Sequence, residues 1–428
     1  IMSSDWSSDV CSSDLPMQTQ VTDPIIQRHD AFMSPNYPRF GVVMARGEGC
    51  RVWDTDGREY LDLFAGFGAP ILGHCHNDLV EAVSVQARRL WHVGNLFHTE
   101  PQTHAAEAIA RHGFGGLSFF CHSGADANEA AIKLARLYGK ANPAANGEPR
   151  FKVISTTSSF HGRSFATMGA TGNAKVREGF EPLLPGFVNV AYDDLDAVSA
   201  EADETAVAVI VEPIQGEGGV NVPADDYLPR LRAMCDERDL LLMCDEVWTG
   251  CGRTGRYFAH QHSGITPDVM TLGKGVGGGL AVGVMCCRPE LGKLVDPAVQ
   301  GGVKHATTLG GNCLATAVSA RLFEVLERDG LVGHAAALGE HARYVLQRAR
   351  ADGTPIVDVR GRGLFLGLEL DLAATRFAKA TDAVRACLDA GLVVGSAGAS
   401  VIRLAPPLTI TKAELDDGIA RVTEVLRG

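Results

Sequence analysis

No stretch of this chain approaches the ~18 uncharged apolar residues that a membrane-crossing helix needs. Its longest apolar runs, such as Ala206 to Val211, suit buried strands instead. Basic charge is in deficit: 39 Lys plus Arg stand against 51 Asp plus Glu, a net charge of −12. An acidic chain repels phosphate backbones, which argues against a general nucleic-acid binder. The 11 cysteines contain no C-x-x-C pair, and only Cys286 and Cys287 are adjacent. Neither a zinc site nor a disulfide framework is expected, and a reducing cytoplasm is the expected setting. No metal ligand set and no repeat at solenoid period can be read. Glycine is in surplus, with 49 of 428 residues or about 11%, against an ordinary ~7%. Such a surplus indicates tight turns and close backbone approaches of the kind that α/β enzymes use around cofactors.

The first sixteen residues, IMSSDWSSDVCSSDLP, lack the basic start and apolar stretch of a secretory signal. The segment Asp5 to Leu15 resembles the translation of a common short-read sequencing adapter. Residues 1–16 are therefore expected to be a non-native leader, with Met17 as the start. A disordered natural tail is the other reading, and neither gives the segment a function.

From Leu117 onward strand-like runs alternate with helical patterns. LSFFC (117–121), FKVIST (151–156), AVAVIVEP (206–213), LLLMCDEV (240–247) and DVMTLGK (268–274) read as buried strands. Periodic helices lie between several of them, including Asn128 to Lys140 and Tyr227 to Arg238. This alternation predicts a largely parallel sheet covered on both faces. After about residue 320 come two helices (Leu314–Asp329 and Leu331–Arg350) and a glycine-rich strand pair, Val357 to Leu370. A further helix, short strands around Val393 and Arg403, and a terminal helix from Lys412 complete a smaller α+β unit. Residues 40–64 alternate like a hairpin turning at Asp56-Gly57. The expected division is an N-terminal segment (17–75) belonging to the small domain, a large domain (76–320) and the C-terminal small domain (321–428).

Several segments carry chemistry. Ser123-Gly124-Ala125 stand just ahead of a helix, where small residues free N–H groups for an anion; alone, the segment reads more simply as an N-cap. Asp245 and Glu246 end a strand, at the sheet edge where ligands bind in such folds. Lys274 follows another strand, and a lysine desolvated there supplies a neutral amine for a Schiff base. A Walker loop is absent: Asp268 stands at its first glycine and Gly275 at its Ser/Thr. Phe160 and Arg163 in SSFHGRSF offer a ring and a carboxylate clamp. VEPIQGEGG (211–219) and TTLGGN (307–312) add carboxylates, hydroxyls and glycines, and each alone reads as an ordinary polar loop.

Together, an anion site, an acid for a ring nitrogen and an amine for an aldehyde are the three handles that pyridoxal phosphate requires. The pieces SGADANEAAIKLAR, FHGR, EPIQGEGG, DEVWTGCGRTG, TLGKG and GGN, in this order, closely resemble the class III aminotransferases of fold type I. The resemblance covers 30–428 and is strongest to the acetylornithine and ornithine enzymes. It implies a large domain with a mostly parallel seven-stranded sheet plus a smaller α+β domain. Lys274 would hold the cofactor and shuttle the proton, Asp245 would pair with its ring nitrogen, and Val247 and Phe160 would lie on its two faces. Ser123, Gly124 and Ala125 would bind its phosphate, with Thr308 of the partner subunit. Arg163 would hold the distal carboxylate of the substrates, Tyr37 would stand at the pocket mouth, and Glu217 would mask Arg403 until the α-carboxylate of 2-oxoglutarate arrives.

Departures from the family pattern are Trp248 where glutamine is usual, Asp126 for glutamate, and Leu309 and Cys313 for an aromatic and a proline. An indole at 248 must leave the cofactor's phenolic oxygen to solvent or give it its single N–H. The implied reaction moves the terminal amine of N-acetylornithine, or a close ω-amino acid, to 2-oxoglutarate, giving the semialdehyde and glutamate. Ornithine, succinylornithine, 4-aminobutyrate and lysine are the alternative donors, and an aminomutase or a silent cofactor-binding homologue the remoter readings. A cytoplasmic homodimer with active sites between subunits, or a tetramer, is implied, with no nucleic-acid or membrane partner.

Overall fold

The computed structural model describes residues 23–428; the expected leader at 1–16 lies outside the described residues. The chain builds an α/β protein around one seven-stranded sheet. In spatial order its strands are Leu117–Cys121, Gly283–Cys287, Val269–Leu272, Leu241–Asp245, Ala206–Val211, Lys152–Thr156 and Phe187–Val190. Neighbours pair in parallel from Val269–Leu272 onward, and Gly283–Cys287 runs antiparallel to both strands beside it. Sequence reading finds five of these strands. It does not mark Phe187–Val190 or the reversed Gly283–Cys287.

Burial on both faces explains the near-continuous apolar runs. Along Leu241–Asp245, Leu241 and Met243 pack into one core with Ala131 and Leu134 of the helix Gly124–Ala141. Leu242 and Cys244 face the opposite core with Leu228 and Leu231 of the helix Tyr227–Glu237. Each fully buried Leu or Met contributes about 1.5–3 kcal/mol. The helix Gly124–Ala141 presents an alanine stripe that lets it lie close to the sheet, and Pro143 follows its end at Asn142.

Two smaller sheets flank this body. Met44–Glu48, Arg51–Asp54 and Glu59–Asp62 form the expected N-terminal antiparallel ribbon, turning through Asp56-Gly57. The last of these strands pairs in parallel with Leu392–Val393, tying the two ends of the chain together. Ile356–Arg362, Phe365–Leu370, Val401–Leu404 and Gly395–Ala397 form the third sheet.

Strand direction decides where function can sit. The parallel strands deliver Ser123, Phe160, Glu212, Asp245 and Lys274 to one edge of the sheet. The reversed strand starts at that same edge, with Gly283 opposite Cys121. At Gly283 a Cβ would stand 1.9 Å from the Ser123 carbonyl oxygen, so only glycine lets the two segments meet. Gly283→Ala should therefore push the 122–124 loop aside and destabilise the protein by about 1–3 kcal/mol, seen as a lower urea midpoint with an unchanged m-value.

Candidate active site

A cavity of about 530 Å³ opens at this strand edge, lined by Ser123, Gly124, Ala125, Phe160, Arg163, Asp245, Val247, Trp248 and Lys274. It also takes in Asn128, His161, Glu212 and the 279–282 loop that feeds the reversed strand. Its size falls in the range of small-molecule and cofactor sites.

Asp245 closes the floor and is 4% exposed. Its Oδ2 accepts from Asn128 Nδ2 at 2.7 Å and lies 2.8 Å from His161 Nδ1, while Oδ1 accepts the Val247 N–H at 3.0 Å. Asn128 is held in turn: its amide donates to the His161 carbonyl at 2.8 Å, and its oxygen accepts from Thr271 Oγ1 at 2.6 Å. Buried carboxylates persist only with partners of this kind. Glu246, the neighbouring acid, turns away from the cavity and is absorbed by structure. It accepts the N–H groups of Ala259 and His260 at 2.8 Å each and sits 3.0 Å from His260 Nδ1.

Lys274 enters the cavity through a strained backbone. Its φ is +43°, a left-handed conformation that costs a residue with a Cβ about 1–2 kcal/mol. Burial brings its amine down to about 8, against the opposing pull of Glu217, Asp245 and Glu212. The Nζ lies 4.3 Å from the centre of the Trp248 ring. Glu212 clasps two loops, accepting the Phe160 N–H at 2.9 Å and the Gly216 N–H at 3.0 Å. Burial, reinforced by Asp245, pushes its carboxyl up to about 7.

Phe160 and Val247 supply ring and aliphatic walls. A Cβ on Gly124 would come within 2.6 Å of Val247, so this glycine sets how near the wall stands to the helix start. Ser123 Oγ caps the helix, accepting the Asp126 N–H at 3.2 Å and donating to Asp126 Oδ2 at 3.1 Å. Capping and lining the cavity are thus both roles of Ser123. The N–H groups of Gly124 and Ala125 open the helix without intrahelical acceptors, a ready anion site. Arg163 is exposed at the mouth, its guanidinium 5.7 Å from the Phe160 ring.

Glu217 and Arg403 form the adjoining wall. Arg403, from the strand Val401–Leu404, donates through Nη1 to Glu217 Oε1 at 2.8 Å. Burial favours the neutral form of Glu217, but the Arg403 charge and hydrogen bond prevail and hold the carboxyl below its ordinary range. Thr308 is exposed, and Tyr37 is 72% exposed; within one chain neither is brought to the cavity. The indole N–H of Trp248 points to Glu217 Oε1 at 3.1 Å. Sequence reading does not pick out Asn128 and His161 as site residues, although both stand inside the quoted SGADANE and FHGR segments.

The chain matches the class-III aminotransferase family over residues 32–426. It belongs to that family. The aminotransferase is 43% identical over 403 residues to the acetylornithine aminotransferase of Myxococcus xanthus, covering 92% of this chain and 96% of that one. It is 44% identical over 396 residues to the enzyme of the same name from Gloeobacter violaceus, covering 92% and 95%. Among solved structures, ornithine aminotransferase from Toxoplasma gondii superposes with a TM-score of 0.88 at 32% identity, covering 95% of each chain. The acetylornithine aminotransferase of Elizabethkingia anophelis gives 0.81 at 29% identity, covering 94% of this chain and 98% of that one. The fold is thereby fold type I, and pyridoxal phosphate is the cofactor of the family. The cavity fits it chemically: a half-buried amine of lowered basicity, a buried carboxylate, flanking apolar walls and a helix start able to hold an anion.

Two outcomes follow from this geometry. Only a neutral amine condenses with an aldehyde, so uptake of pyridoxal phosphate by the cofactor-free protein should quicken as pH rises through about 8. Below that value it should slow about tenfold per unit, as followed by cofactor absorbance. Asn128→Ala removes one hydrogen bond to the charged Asp245, about 1.5–3 kcal/mol, and should weaken cofactor affinity at least about tenfold in equilibrium titrations.

Proposed function

We propose that this aminotransferase transfers the terminal amino group of N-acetylornithine, or a close ω-amino acid, to 2-oxoglutarate. The observation that carries the chemistry is the half-buried Lys274 amine that lines one cavity with Asp245. The choice of donor is supported by relatives named acetylornithine aminotransferase at 40–44% identity over nearly the whole chain.

When bound, pyridoxal phosphate supplies an electron sink for the carbon that loses its proton. Lys274 would hold the cofactor and move a proton at its Nζ. Asp245 would meet the ring nitrogen, with Asn128 and His161 fixing the carboxylate. Phe160 and Val247 would flank the ring, and Trp248 would close the side. Ser123, Gly124 and Ala125 would bind the phosphate through the helix start, with Thr308 of the partner subunit completing that end. Arg163 grips the carboxylate at the far end of either substrate. Arg403 receives the α-carboxylate of 2-oxoglutarate once Glu217 moves, and Tyr37 borders the entrance. An unpaired guanidinium in a dry wall is costly, so a movable counter-ion lets one pocket serve both substrates in turn.

A homodimer accounts for the surface around the cavity. Trp91, Phe97 and Val303 are each more than 60% exposed, and Leu96 is 94% exposed. A second hollow of about 640 Å³ lies among Leu96, Phe119, Val303 and Thr307. Exposed apolar side chains of this kind favour an interface, and a second copy covering them would bring Thr308 to its neighbour's site. A cytoplasmic setting agrees with ten free cysteines among the described residues, all buried except Cys75. Among those residues no helix is long and apolar enough to cross a membrane.

A donor panel scored by half-reaction absorbance tests the assignment. N-acetylornithine should react with a kcat/KM at least about tenfold above ornithine, succinylornithine, 4-aminobutyrate and lysine. A faster reaction with any of those replaces the donor. Lys274→Ala should lose at least about a thousandfold in kcat, and full transamination by that variant would sink the mechanism.

A further inference from the structure

Arg403 is 2% exposed, and three aromatic rings surround its guanidinium. The carbon of that group lies 5.2 Å from the Phe64 ring, 5.9 Å from Phe67 and 5.4 Å from Trp248. Glu217 Oε1 is shared: it accepts from Arg403 Nη1 at 2.8 Å and from the Trp248 indole N–H at 3.1 Å. The indole that makes the second bond is held by close packing. It stacks on Phe365 with ring centres 4.9 Å apart and planes 12° from parallel. Two glycines make room for it, since a Cβ on Gly68 or Gly216 would come within 2.7 or 2.8 Å of its ring atoms. The same ring lines the cavity beneath the Lys274 amine.

We propose that Trp248 is a specificity-determining residue, a rigid latch that holds Glu217 on Arg403 and sets how readily the pocket admits a carboxylate beside the reacting carbon. This rests on the reading of Arg403 as the α-carboxylate anchor. For Glu217 to leave, two hydrogen bonds on one oxygen must break. The incoming carboxylate restores the pairing of Arg403, but the indole N–H gives up its charged acceptor. A donor that presents a chain-terminal amine places no carboxylate there and leaves the latch closed. An α-amino acid reacting at its α-amine must open it. Trp248 therefore favours ω-amine donors over α-amino acids, at a cost in affinity for the oxo acid.

The ring is fixed by stacking and the glycine slot, so Trp248→Phe removes the N–H while keeping an aromatic ring in place. The probe is glutarate, a non-reacting dicarboxylate of the same carbon count as 2-oxoglutarate, titrated into the holoenzyme. Trp248→Phe should bind glutarate about tenfold more tightly, the worth of one hydrogen bond to a charged acceptor. In a Glu217→Ala background the same substitution should change the affinity by less than about twofold, because the bond it removes is already gone. KM for 2-oxoglutarate should fall by more than any change in the donor half-reaction.

Unchanged glutarate affinity in Trp248→Phe, or equal effects in both Glu217 backgrounds, would overturn the proposal. A second readout leaves Trp248 intact: glutarate binding should shift indole emission in the native holoenzyme, and Glu217→Ala should abolish that shift. Absence of the shift counts against the latch even if Trp248→Phe fails to load cofactor. Arg403→Ala keeps the two readings apart. It should weaken glutarate binding at least about tenfold. If it does not, the anchor reading fails and the latch with it, whereas a lost Trp248 effect beside an intact Arg403 effect removes the latch alone.

Discussion

A primary amine drawn partly out of water is the constraint around which this pocket is built. Burial disfavours the charged form of Lys274, and three carboxylates, Glu217, Asp245 and Glu212, pull the other way. Asp245 and Glu212 are buried and Glu217 is half-buried, and each has its own partners. Asp245 has Asn128 and His161, Glu212 has two backbone N–H groups, and Glu217 has Arg403 and Trp248. Charge compensation thus spreads outward from one nitrogen. It crosses from the large sheet to the strand Val401–Leu404 of a different sheet, which is why residues more than a hundred positions apart belong to one site.

Close packing at the strand edge is what lets these groups converge. Four parallel strand ends and the helix start leave little space, and the reversed strand must begin in the same place. Gly283 and Gly124 solve the crowding by omitting a Cβ where a backbone carbonyl or Val247 already stands. Gly68 and Gly216 do the same for Trp248. Part of the compositional surplus of glycine is therefore a record of how tightly this edge is assembled, and the left-handed backbone of Lys274 is strain accepted in the same region.

Elements that bury a long apolar stripe were legible from the residues alone. Leu241–Asp245 and Ala206–Val211 announce themselves by unbroken hydrophobicity, and the helix Gly124–Ala141 by its capping serine and alanine spacing. Phe187–Val190 spans four residues at the sheet margin, none but Val190 fully buried, so its periodic signal is slight. The reversal of Gly283–Cys287 has no local code, because direction is set by where the chain returns. Lys274 and Asp245 were legible because they end strands. Asn128 was not: its role is defined by a partner 117 residues away. Trp248 was visible only as an oddity, since its acceptor lies 31 residues earlier on another loop. Thr308 and Tyr37 are both exposed and stand outside the cavity lining of the single chain.

The coupling between Arg403 and Lys274 gives the shared wall a further consequence. Glu217 is the foremost of the carboxylates that favour a charged Lys274 amine. If that carboxylate left without replacement, desolvation would act on the amine less opposed, and Arg403, which already disfavours the ammonium, would stand uncompensated beside it. A substrate carboxylate arriving on Arg403 would return one negative charge to the guanidinium. The electrostatic setting of the amine is thereby preserved while the identity of the counter-ion changes. A neutral group entering there would leave Arg403 without a counter-charge, further disfavouring the ammonium form of Lys274. With Arg403 as the proposed carboxylate anchor, the wall would favour an acceptor that brings its own charge.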